Sequence, residues 1–215
     1  MKYIERSIES QDWVTLLLVG CFILLAIVSV IYKKRFEDFI KLPISNNYFI
    51  GKGKSDEIKH PFNMALFSIQ LISISLFIYL FFSEEAKTNS SLFLQILIGV
   101  SIFILVKLIV EKMMGTIFSM EGFINQFIFQ KFTYRNFTSL LIFVANLFFY
   151  FTFKPNLITL LVFTSVLVLF NLLIIFYSLK NYRTLLFSNF FYFLLYLCTL
   201  EISPYFLVYK ALVKF

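Results

Sequence analysis

Residues 13–32 read WVTLLLVGCFILLAIVSVIY, an apolar run without a charged side chain, and Lys33, Lys34 and Arg35 follow at once. A helix of about 20 such residues crosses the ~30 Å hydrocarbon layer of a bilayer at about 1.5 Å per residue. Trp13 and Tyr32 stand at its ends, where aromatic side chains suit the lipid–water boundary. One such run makes an anchor; several dictate the whole fold. Further runs cover 62–82, closed by Glu84 and Glu85; 92–112, interrupted by Lys107 and Glu111; 138–153, ended by Lys154-Pro155-Asn156; then 157–178 and 185–205. The reading is all-α, a polytopic transmembrane helix bundle of about six spans, forming one integral membrane domain over 1–215.

Composition points the same way. Of 215 residues, 60% are hydrophobic and 14% charged, against about 45–50% and about 25% in soluble domains. A water-soluble fold of this size has too much surface for its volume to hide so much Phe and Leu. The formal charge of +7 does not point to nucleic acid, because Lys and Arg gather at the ends of the apolar runs, as membrane topology requires. The opening MKYIERSIESQDW carries three acids and no small-residue cleavage site, so the first run reads as a permanent anchor.

Basic loops stay in the cytoplasm. With the N-terminus outside, the cytoplasmic side receives Lys33, Lys34, Arg35, Lys41, Lys52, Lys54, Lys59, Lys112, Lys131, Arg135, Lys180 and Arg183. The outer side keeps Lys2, Arg6, Lys87, Lys154, Lys210 and Lys214. This bias predicts a multi-pass inner-membrane protein with a periplasmic N-terminus, although the basic C-terminal tail pulls the other way.

Two cytoplasmic connections are long. Within the loop 33–61, KKRFEDFIKLP sets Phe36, Phe39 and Ile40 on one helical face, which predicts a short helix in the headgroup layer, ended by Pro43. The polar stretch 45–61 predicts a loop, or a docking surface for a soluble partner. The second connection, around 113–133, is too apolar for an ordinary loop and too polar for a plain span. Phe123, Ile124, Phe127 and Ile128 recur at helical spacing, so it is expected as an interfacial or re-entrant helix between spans three and four. If it crosses the membrane instead, the count becomes seven and the C-terminus moves inside.

Function is sought at polar groups placed in lipid, where they are costly. Lys107 and Glu111 lie four apart on one face of the third run. They read either as a lysine reaching for headgroups with a carboxylate beside it, or as part of an ion or proton path. Glu201 is the sharper case. Pro204 removes a backbone donor and crowds the carbonyl of Leu200, so the helix should kink beside this carboxyl and face protein there. Lys107 cannot reach it, since the two lie roughly 16 Å apart in depth. Tyr79 and Gln95 are the expected hydrogen-bond partners and Lys154 the expected cation. Asn146 and Asn171 are expected to bond between helices.

Cys21 and Cys198 fall within apolar runs and read as small buried hydrophobes. His60 is the only histidine. No phosphate loop, nucleophile elbow or zinc helix occurs, and GKGKSD at 51–56 lacks Walker spacing. No catalytic residue, cofactor or metal site is predicted.

At YLCTLEISPYFLVYK, residues 196–210, the chain resembles the DUF4271 family of bacterial integral membrane proteins, found in Bacteroidota. Their last helix carries a Cys-Thr-x-Glu-Ile-x-Pro core, matched here by Cys198, Thr199, Glu201, Ile202 and Pro204, with Tyr209-Lys210 after it. LVKLIVEKMMGTIF, with Lys107, Gly115 and Phe118, is a second similarity. The resemblance implies an inner-membrane location and a special role for Glu201, and lends no activity. The resulting expectation is a non-enzymatic accessory, scaffold or assembly component of a membrane-protein complex, its partners the lipid bilayer and a membrane protein or a second copy. A small transporter or ion-coupled protein using Lys107, Glu111 and Glu201 is the alternative.

Overall fold

The computed structural model describes residues 12–42, 60–82, 90–117, 121–153 and 155–181. These form six helices: α1 (Asp12–Ile31), α2 (Lys33–Ile40), α3 (Pro61–Tyr79), α4 (Ser90–Ile117), α5 (Glu121–Phe151) and α6 (Leu157–Asn181). Among the described residues there is no strand. Among the described residues, three helical stretches are long and apolar enough to cross a membrane: Asp12–Ile31, Pro61–Tyr79 and Ser91–Met113. They are the helices of a membrane-embedded protein. The last expected run, 185–205, lies outside the described residues.

α3 is the centre of the bundle. It packs against α1, α4 and α5, while α5 also meets α4 and carries α6 on its other side. Burial follows this arrangement. On α1 the protein-facing residues Val14, Leu18, Cys21 and Val28 repeat at helical spacing, and Leu16, Phe22, Ile23 and Val30 point outward. α3 instead buries residues on several sides, from Phe62 to Tyr79. It begins at Pro61, whose missing N–H costs nothing in a first turn. His60 caps it, Nδ1 accepting from the Phe62 N–H at 3.2 Å.

Aromatic side chains lock the two ends. Trp13 meets Tyr79 edge-on at 5.5 Å between ring centres and Phe93 at 5.1 Å, which ties together α1, α3 and α4. At the other end Phe39 of α2 stands edge-on to Phe62 and to Phe137, at 5.9 and 6.0 Å. A third cluster, built on Phe77, Leu80, Ile142 and Leu160, seats α6.

Two sequence expectations change here. A helix does form in KKRFEDFI, but it does not rest its whole apolar face on lipid: Phe39 is fully buried against α3 and α5, and Ile40 is half exposed. Adjacent residues point about 100° apart on a helix, so one of the two had to turn away from the protein. The stretch 113–133 is not a separate element either. α4 runs on to Ile117, and from Glu121 a 31-residue helix passes unbroken through the expected fourth span. No Gly or Pro occurs between Gly122 and Pro155, so nothing in the backbone interrupts it. At about 46 Å, α5 outruns the hydrocarbon layer and must project beyond it or tilt.

Candidate functional site

Polar side chains inside this bundle concentrate on α4, α5 and the face of α3 that meets α5. Glu111 of α4 is 1% exposed, and its Oε1 accepts a hydrogen bond from Lys131 Nζ of α5 at 2.5 Å. A carboxylate so enclosed is tolerable only with an opposite charge beside it, and the Lys131 side chain, 15% exposed, supplies it across the α4–α5 interface. Lys107, one turn earlier on α4, is half buried and has interactions of its own. One turn beyond Lys131, the Arg135 guanidinium lies 5.6 Å from the centre of the Phe132 ring, a cation–π geometry. The pair thus sits in basic surroundings.

The second polar region is a seam between α3 and α5. Asn63, Gln70 and Ser73 of α3 are buried, as are Thr133, Asn136, Thr138, Ser139 and Asn146 of α5. Asn146 Nδ2 donates to the Ser73 carbonyl at 2.9 Å, and Tyr150 Oη to the Leu76 carbonyl at 3.1 Å. Both bonds advance in the same direction, so the two helices run parallel. Such bonds fix the rotation and register of helices whose apolar surfaces would otherwise slide, at about 0.6–2 kcal/mol each.

The sequence-predicted residues are distributed unevenly over these features. Glu111 is in the ion pair, although its partner Lys131 lies twenty positions away and was not anticipated. A signal for it existed: with α4 ending at Ile117 and α5 beginning at Glu121, packing the two helices antiparallel brings residues near 130 alongside Glu111. Asn146 bonds between helices as expected, whereas Asn171 Nδ2 donates to the Leu167 carbonyl of its own helix at 2.8 Å. Tyr79 is buried against Trp13, and Gln95 is exposed. Glu201, Pro204, Cys198, Thr199 and Lys154 lie outside the described residues.

The seam itself escaped sequence reading, although Asn63, Gln70 and Ser73 share one helical face, as do Thr133, Asn136 and Ser139. Among the described residues no three His, Cys, Asp or Glu side chains converge as a metal site would need. The described residues thus hold a buried ion pair between α4 and α5 and a line of neutral amides and hydroxyls between α3 and α5. Such an arrangement can position helices and hold small polar species.

A family model described as "Domain of unknown function (DUF4271)" matches residues 14–212, which takes in every described helix but the first two residues of α1. No curated protein matches the chain, and no solved structure does.

Proposed function

We propose that this chain, which belongs to the DUF4271 family, is a multi-pass inner-membrane protein with about six spans and a periplasmic N-terminus. In this reading it acts as a non-enzymatic accessory, scaffold or assembly component of a membrane-protein complex. The observation that carries the reading is the seating of α2. Phe39 and Leu42 are buried in the cluster that joins α1, α3 and α5, so the exposed Lys33, Lys34, Glu37 and Lys41 are held as one fixed face. A face already ordered loses little entropy when a partner binds. Its mixed but mainly basic character suits an acidic surface on a cytoplasmic or membrane partner.

Gentle detergent extraction of the tagged protein is expected to recover a stoichiometric partner. Exchanging Lys33, Lys34 and Lys41 for Glu together should abolish that recovery while the melting temperature holds. A lone monomer in every detergent tried would remove the reading. The transporter reading is supported by a different observation, the enclosed Glu111–Lys131 pair among buried amides, since buried charges and polar groups recur where ions or protons move. A chain that extracts alone and intact shifts the weight to it.

A further inference from the structure

Lipid offers no hydrogen bonds, so each polar side chain in the bundle must find a partner within the protein or in water held there. Several find one in their own helix. Ser101 Oγ donates to the Leu97 carbonyl at 2.7 Å, Thr133 Oγ1 to Phe129 at 2.8 Å, and Thr164 Oγ1 to Leu160 at 2.7 Å. The α3–α5 seam contains groups that do not. Both amide atoms of Gln70 and of Asn136, the hydroxyl of Ser73, and Oδ1 of Asn146 are buried with no hydrogen-bond partner among the described residues. All four residues are 0% exposed.

These groups are close in depth. The bonds Asn146–Ser73 and Tyr150–Leu76 set the register of the two parallel helices. Carried back along both, that register puts Gln70 level with Phe143 and Asn136 level with Asn63. The unmet groups therefore follow one seam over about 15 Å, about half of the hydrocarbon depth.

Their chemistry selects the ligand. A metal cation would satisfy the oxygens and leave Gln70 Nε2 and Asn136 Nδ2 unmet. An anion would satisfy those donors and oppose the amide oxygens. A small neutral species that both donates and accepts meets all of them. We propose that the α3–α5 seam is a binding site for water held within the membrane, each molecule bonding about three such groups. The proposal is independent of the accessory reading and gives the bundle a polar track between α3 and α5.

X-ray hydroxyl-radical footprinting of the purified full chain generates radicals from bound water in place. Ile69 and Phe143, at the seam, are expected to be oxidised severalfold more than Leu160, which is equally enclosed in the separate apolar cluster that seats α6. A second measurement is the melting temperature of Gln70→Leu. If water fills the seam, an apolar side chain displaces it, strands Ser73 and Asn146, and lowers the melting temperature by several degrees. If the seam is dry, the same exchange removes an unmet amide and leaves the temperature equal or higher. Seam oxidation no greater than that of Leu160, or a Gln70→Leu chain that melts no lower than its parent, overturns the proposal.

Discussion

Lys131 and Glu111 show how a single polar contact divides its energy. The net worth of a buried pair is small, because both charges lose their hydration; the cost appears when one partner is removed and the other stays enclosed. Lys131→Met should therefore destabilise the protein by about 3–5 kcal/mol, leaving Glu111, the more enclosed of the two, without its cation. Adding Glu111→Leu should restore most of that loss. Thermal unfolding of both single variants and the double variant measures the coupling, and additive losses would show that the pair does not act as a unit. The two asparagines teach a similar lesson. Asn146 and Asn171 looked equivalent in sequence, yet one joins two helices and the other its own preceding turn. Which occurs depends on whether a neighbouring backbone lies within reach, and a single helix does not record that.

α2 and α5 are the elements whose surroundings altered their meaning. Eight residues are too few for a stable isolated helix, so α2 depends on the contacts of Phe39 with Phe62 and Phe137. Phe39→Ala should cost about 3–5 kcal/mol, whereas Ile40→Ala, at a half-exposed position, should cost far less. Unfolding of the two variants in one detergent checks the difference, and a similar loss in both would mean that α2 lies loosely on its neighbours. α5 is the converse case. Gln126, Gln130, Lys131 and Arg135 make its first half too polar for lipid, which favoured a separate interfacial element. Protein contacts change that balance: Gln130 is buried and Lys131 is paired with Glu111. With no helix breaker in the chain, one long helix results.

For the whole molecule, lipid is the solvent and the helices differ in how much of it they meet. α1 and α4 are largely exposed along their lengths while α3 is enclosed. The orientation proposed from the basic loops places α2 in the cytoplasm. With Cys21 and Cys198 replaced by Ala, Lys41→Cys should react with an impermeant maleimide only after the inner membrane is opened. Labelling in cells whose inner membrane is intact would reverse the orientation. The helical class and most helix positions were legible in the sequence, because long apolar runs leave the backbone no solution in lipid but its own local hydrogen bonds. Tertiary structure alone decided that α3 lies at the centre, that α2 is clamped by Phe39, and that Glu111 turns to Lys131. Helices that are apolar on every side carry no stripe to mark the inward face, so packing and a few polar contacts between helices make that choice.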